Sequence, residues 1–408
     1  MTSRAPLFGW LAAEAVSLTG TRVSMVAIPW FVLTTTGSAT QTGIVAFAEM
    51  APYVAMKALA GPLVDRTGAR RVSIAADVAS VLVVGAIPFL AATHRLSFPL
   101  LLALVALAGT LRGPSDGAKQ ALVPAVVEAS GVSMERATGL GGAVERLSST
   151  VGAALAGVLV AAIGPTQALV IDAASFGVSA ALLALTAPRR LPTPEAESES
   201  KYWVRLRQGW DFLRRDKVLV AMVAMVATTN LLDAAYATVL VPVWARESGG
   251  GAAAIGLLFA VFSGAAVLGS VLAATVAERL PRFWTYLIAF LLGGMPRFVV
   301  LAFGVPLAGV LAVAVVGGFA VGFINPILGA VMYERIPPHL VGRVTSLQNS
   351  LCWAGIPFGG IVGGTLVASL GLRPALVILG AAYLLATMLP ALQPQWREID
   401  RKPQPVHP

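Results

Sequence analysis

Charge is what this chain has least of. Only 12% of its 408 residues are Asp, Glu, Lys or Arg, while 57% are hydrophobic and the mean hydropathy is +0.80. Soluble domains carry about a quarter charged residues, so this composition excludes a water-soluble globular domain. Cys352 is the single cysteine, and no intrachain disulfide can form. The three histidines, His94, His339 and His407, fall near the ends of apolar runs or in the C-terminal tail and make no metal-ligand cluster. HExxH, a Walker loop and GxSxG are all absent. ATP hydrolysis in this chain is therefore not expected, nor an enzyme activity, a bound metal or a cofactor. Period-2 alternation is missing as well, which argues against a membrane β-barrel.

What is present is a succession of apolar runs, each of about 20 residues, the length that crosses a ~30 Å hydrocarbon core. Twelve can be placed, at about 7–34, 40–63, 71–92, 97–126, 138–163, 166–188, 218–244, 253–277, 283–303, 306–334, 341–369 and 372–392. In lipid the backbone must satisfy its own hydrogen bonds, so these runs predict helices. Glu14 interrupts the first run, which continues to a full span and reads as a retained helix rather than a cleaved signal.

The net charge of +9 could point to nucleic acid, so its distribution decides. In the loops, at the span ends and in the termini, twenty Lys and Arg fall on the side of the N-terminus, and only Arg95, Arg246 and Arg373 on the other. The positive-inside rule then places both termini in the cytoplasm and makes the charge a matter of topology. No nucleic-acid partner is expected.

The chain also repeats itself. Asp65-Arg66 returns 213 positions later as Glu278-Arg279, Pro29 as Pro242, Gly43 as Gly256 and Pro124 as Pro337. The offset then becomes 207, carrying Gly152 and Gly157 onto Gly359 and Gly364, with GVLVAAIG facing GTLVASLG. Two like halves follow: a six-helix bundle over 1–188 and another over 218–393, with a cytoplasmic tail at 394–408. The linker 189–217 opens on RRLPTPEAESES, solvated by composition. It closes on a helical pattern of Trp203, Leu206, Trp210 and Leu213 among arginines, which suits a helix in the membrane interface.

The loop after the second run reads G-P-L-V-D-R-T-G-A-R-R. Gly61, Leu63, Asp65, Arg66, Gly68 and Arg70 match the G-x-L-a-D-r-x-G-r-k loop of the major facilitator superfamily. VAIPWFVL, GSATQTG, RRVSIAAD, RGPSDGAKQALVP and LVIDAASF resemble its drug-efflux branch, which holds macrolide, multidrug and enterobactin-exporter-like proteins. The resemblance implies an all-α membrane protein, twelve helices in two pseudo-symmetric bundles, acting as a monomeric transporter in the bacterial inner membrane. It also implies proton-coupled efflux of hydrophobic or cationic small molecules, with the proton gradient as energy source. A dedicated exporter of one self-made metabolite or siderophore is the alternative, and a transport-silent sensor or scaffold the alternative from another class. On the same resemblance, Gly61, Asp65, Arg66, Gly68 and Arg70 gate the conformational cycle. Their chemistry fits: Gly61 for close helix approach, Gly68 for a positive φ, Asp65 for capping a helix, the arginines for carboxylates or helix carbonyls.

Ionisable residues inside the spans are costly unless paired or hydrated. Arg112, Asp116 and Lys119 stand at i, i+4 and i+7, one stripe of one helix. It faces either a central cavity or another helix as a self-neutralised structural stripe. Arg112 matches the superfamily's fourth-span arginine, linked in relatives to proton coupling. Glu145 falls where relatives carry an acid and is the first choice for a titrating carboxylate, with a permanent ion pair as the bland alternative. Glu49, the most isolated acid of its span, is the next candidate for a proton or a cationic drug. Glu14, Arg22, Lys57, Asp172 and Asp233 come behind. The expected proton-coupling set is Glu145, Glu49, Arg112 and Asp116, and the expected substrate cavity Arg112, Asp233 and Asn325. Coupling is expected mainly in the N-terminal half, because Asn325-Pro326 replaces the charged stripe in the tenth run.

Overall fold

The computed structural model describes residues 4–188, 207–276, 279–337 and 340–392, together with Trp396 and Ile399. Among these the secondary structure is helical. The first six long helices are α1 (Ala5–Thr36), α2 (Ala39–Thr67), α3 (Ala69–Ala92), α4 (Phe98–Ala121), α5 (Met134–Ile163) and α6 (Pro165–Thr186). A short helix, Val123–Ser130, follows α4. Then come α7 (Lys217–Ala235, a π turn over Tyr236–Leu240, and Val241–Glu247) and α8 (Gly251–Val276). They are followed by α9 (Arg282–Gly293 and Met295–Ala302) and α10 (Leu307–Val321 and Ile324–Arg335). The last are α11 (Val341–Ala354 and Ile356–Leu370) and α12 (Leu372–Met388). Eleven of the twelve are long and apolar enough to cross a membrane; α12, with 17 residues, continues into a 3-10 turn at Leu389–Leu392.

The sequence repeat is a structural repeat. α3 and α9 begin 213 residues apart, and α6 and α12 begin 207 apart. The glycines ahead of the latter pair adopt the same left-handed backbone, Gly164 at φ 85° and ψ 160°, Gly371 at φ 84° and ψ 169°. A Cβ is unfavourable at such a φ, which explains why both positions are glycine.

The chain divides into two compact units that are not simple halves. One is Met1–Ala196 with Ala237–Ala260 and Gly360–Thr365; the other is Glu197–Tyr236, Val261–Gly359 and Leu366–Pro408. In the first unit α1 packs on α5 and α6, α2 on α4, and α3 on α4 and α6. Small residues bring α5 against α8 and α2 against Gly360 at backbone distance. A Cβ on Gly157 of α5 would stand 2.5 Å from the Gly256 Cα, and one on Gly43 of α2 2.1 Å from the Gly360 carbonyl oxygen. The second unit joins the last part of α9 to α12 and the first part of α9 to α10. Asp216 caps α7 by accepting from the Val218 and Leu219 amides at 2.9 and 3.1 Å, and it also accepts from Arg335 Nε at 2.8 Å.

In the 189–217 linker a helix covers 207–213, with Trp210 46% exposed and Leu213 buried. Trp203 and Leu206 lie outside the described residues, as does Glu278.

Candidate functional site

The site of the first unit is built on the contact between α2 and α4. Gly109 and Gly113 stand one turn apart on α4. A Cβ on Gly109 would lie 2.1 Å from the Glu49 carbonyl oxygen, and one on Gly113 2.7 Å from the Lys57 amide nitrogen. With the backbones that close, long side chains on either flank must meet. Pro114 is accommodated without breaking α4.

The side chains that meet are charged and aromatic. Arg112 Nη1 donates to Glu49 Oε1 at 3.2 Å, and Arg112 Nε lies 3.9 Å from Asp116 Oδ2. The guanidinium stacks 4.2 Å above the Tyr53 ring centroid, and the Tyr53 hydroxyl donates to Asp116 Oδ2 at 3.0 Å. Lys57 Nζ donates to the same hydroxyl at 3.3 Å. The side chains of Arg112 and Glu49 are 13% and 11% exposed, so the pair is largely desolvated but not sealed. Three of the four residues expected to couple protons, Glu49, Arg112 and Asp116, are thus in one cluster. Tyr53 joins them as a cation–π platform.

Glu145 is not in that cluster. It is exposed on α5 and makes no ion pair among the described residues. Its neighbourhood on α5 is engaged by Arg22 of α1, whose Nη2 donates to Ser149 Oγ at 2.9 Å.

The stripe of α4 splits between two neighbours, which corrects the expectation of one ionic stripe facing one way. Lys119 is 1% exposed and pairs with Asp77 Oδ2 of α3 at 3.0 Å, while donating to Ser17 Oγ at 3.0 Å. Asp77 also accepts from Ser115 at 2.6 Å and Ser179 at 2.7 Å. The reason is angular: Arg112 and Asp116 form one i, i+4 row toward α2, while Ser115 and Lys119 form the next row, about 60° round the helix, toward Asp77 of α3. Asp77 was not singled out by the sequence reading. Its signal was a polar row, Ser73, Asp77 and Ser80, on an otherwise apolar helix.

In the loop between α2 and α3, Gly68 has φ 91° as expected. Arg70 Nη2 donates to the Ala184 carbonyl at 2.6 Å, a helix carbonyl at the end of α6. Asp65 and Arg66 are exposed and form no ion pair among the described residues. A Cβ on Gly61 would meet nothing within 4 Å, so the expected close helix approach is not found there.

The second unit holds a site that the sequence reading half missed. Asp233 of α7 accepts from Arg297 Nη2 of α9. The guanidinium lies within a cage of rings: 4.8 Å from the Tyr236 centroid, 4.9 Å from Tyr383, 5.2 Å from Phe298 and 5.8 Å from Phe262. Asp233 is 41% exposed and Arg297 13%. Asp233 was foreseen as a cavity residue, whereas Arg297 was not, although a lone arginine in an apolar run calls for an acid on another helix. Asn325 is exposed on α10 and does not join this cluster.

The profile of the Major Facilitator Superfamily matches residues 10–235 and again 223–405. The chain belongs to this superfamily. Among its relatives is the multidrug efflux pump Tap of Mycobacterium tuberculosis, 30% identical over 407 residues, spanning 99% of this chain and 97% of that one. The pump of the same name from Mycolicibacterium fortuitum is 29% identical, with 99% of both chains covered. Macrolide efflux protein A of Streptococcus pyogenes is 20% identical, with 96% of each covered. The fold matches the nucleoside transporter NupG at a TM-score of 0.76 and 14% identity, over 94% of this chain and 98% of that one. A bacterial homologue of the human lysosomal transporter Spinster matches at 0.72 and 13%, over 98% of each chain. The protein is therefore a multi-pass membrane transporter of the drug-efflux branch. Among the described residues no group of three or more His, Cys, Asp or Glu is placed to hold a metal ion.

Proposed function

We propose that this transporter exports hydrophobic, cationic small molecules across the bacterial inner membrane in exchange for protons. The two repeats act as bundles over 1–188 and 218–393, joined by the 189–217 linker, with both termini cytoplasmic and the chain working as a monomer. The observation that carries the reading is the Glu49–Arg112 pair, held at 3.2 Å on two membrane-spanning helices in a chain related to multidrug pumps. Such a pair has two neutral-sum states. Either Glu49 is charged and faces a cation, or it carries a proton and Arg112 keeps Asp116 and the Tyr53 ring as its partners. A cationic substrate and a proton compete for the same carboxylate, which is the requirement for exchange. Differential affinity of the two facings for the proton and the substrate then drives alternating access. The loop residues Asp65, Arg66, Gly68 and Arg70 hold one of those facings, and Gly61 belongs to the same loop. Asp233 and Asn325 contribute substrate contacts from the C-terminal half, and Glu145 is a second point of proton entry.

The test is made in everted vesicles carrying a pH gradient. Adding a lipophilic cation such as ethidium should collapse the gradient with the intact protein. Glu49→Gln should abolish that exchange, a loss of at least about a hundredfold in coupled flux, while expression and detergent stability stay normal. Full proton-driven export by Glu49→Gln would refute the assignment. A gradient undisturbed by any lipophilic cation would remove the multidrug reading and favour the dedicated exporter.

A further inference from the structure

The two repeats share a place in the fold and fill it differently. An offset of 213 carries Val84 onto Arg297 and Glu49 onto Phe262, and an offset of 207 carries Phe176 onto Tyr383. In the second unit Arg297, Phe262 and Tyr383 converge, so the guanidinium plugs that place. In the first unit Val84, Glu49 and Phe176 line a cavity of about 20 Å³. The short valine leaves room there for one water molecule.

Two groups in that cavity ask for a small polar guest. Ser80 is 1% exposed, and its Oγ is buried with no hydrogen-bond partner among the described residues. Asp172 of α6 is also 1% exposed; it accepts from Ser24 Oγ and, at 3.4 Å, from Ser175 Oγ. No cation lies within ion-pairing distance of Asp172 among the described residues. An uncompensated charge buried in a membrane protein is costly, and a proton carried on the carboxyl removes it. The ionisable groups that line the cavity with Asp172 are Glu49 from α2 and Arg112 from α4. α1 presents Thr21 and Ser24, and α3 presents Ser80, with no ionisable side chain from either.

We infer that Asp172 is a second proton carrier, which exchanges its proton with Glu49 through one water held by Ser80. In the transfer, the Asp172 carboxyl O–H gives its proton to the water oxygen while the water gives one of its own to a carboxylate oxygen of Glu49. The water is unchanged, and the negative charge moves from Glu49 to Asp172, where the hydroxyls of Ser24 and Ser175 donate to it and Arg112 lines the same cavity. The inference rests on the reading of Glu49 as the coupling carboxylate. On this inference the relay belongs to the N-terminal repeat, because in the other repeat Arg297 stands among Phe262 and Tyr383 at the matching place.

Substrate-evoked proton release and its pH profile, recorded in proteoliposomes, test the relay. Asp172→Asn should slow coupled turnover by at least about tenfold and flatten the pH profile, with substrate affinity nearly unchanged and Asp172→Glu restoring part of the rate. Val84→Arg, which copies the plugged half, should give the same loss. Ser80→Ala, which removes only the hydroxyl that holds the water, should slow proton release several-fold even if the other variants fail to fold. Wild-type rates and pH profile in Ser80→Ala, or in a folded Asp172→Asn, alongside a dead Glu49→Gln would overturn the relay and leave the exchange reading standing. Retention of coupling by Glu49→Gln would remove the exchange reading itself. Export driven by a sodium gradient in place of the proton gradient would also overturn the relay.

Discussion

Replacing Lys119 by methionine should destabilise the protein by about 3–5 kcal/mol, the range for breaking a fully buried ion pair from one side. The magnitude follows from what is left behind. Asp77 is 0% exposed, and without Lys119 its charge keeps only the hydroxyls of Ser115 and Ser179. Water cannot enter to replace the lost ammonium, and no other cation pairs with this carboxylate among the described residues. A second change, Asp77→Asn, should recover most of the loss, because a neutral amide still accepts from Ser115 and no charge remains to be compensated. The measurement is the fraction of monodisperse protein surviving a heating series in detergent. A Lys119→Met variant as resistant as the parent would show that the pair does not hold α3, α4 and α6 together.

Arg297→Met should lower stability less, by about 2–3 kcal/mol, the sum of about 1.5–2 for a charge-assisted hydrogen bond to a part-exposed carboxylate and about 0.5–1 for the cation–π contact. Methionine fits among rings, so the cage itself need not collapse. The partner also differs: Asp233 is 41% exposed against 0% for Asp77, and it can take up water once the guanidinium is gone. Arg297→Lys should not rescue, because an ammonium cannot stack as a plane against four ring systems. The same heating series ranks Arg297→Met between the parent and Lys119→Met. The reverse order would mean that the exposed carboxylate, not the sealed one, governs the fold.

The architecture was legible because lipid constrains it. Each span declares itself by length and apolarity, and the repeat by matched glycines and prolines, as Gly164 and Gly371 illustrate with their shared backbone. The cluster of Glu49, Arg112 and Asp116 was legible in part. Helical spacing assigned Arg112 and Asp116 to one face, but it could not say which neighbour each would meet. Lys119 shows the limit, since one stripe held two adjacent rows that reach different helices. Arg297 and Asp77 escaped for a related reason: each finds its opposite charge on another helix, Arg297 some 64 residues from Asp233. No periodicity within one helix carries that information. Glu145, favoured by the resemblance, is exposed on α5 and stands apart from the cluster.

The π turn at Tyr236–Leu240 limits how far the two repeats can be read onto each other. Residue counting is undisturbed by it: Asp233 matches Gly20, and Pro242 matches Pro29, both at 213. Yet a π turn spends one surplus residue on a wider coil, and one residue is about 100° of rotation in an α-helix. Ahead of Tyr236, equivalent positions on α1 and α7 present equivalent faces. Beyond Leu240 the same count lands on a different side of the helix. Pro242 and Trp244 thus match Pro29 and Phe31 by count, while the π turn ahead of them rotates their faces by about 100°.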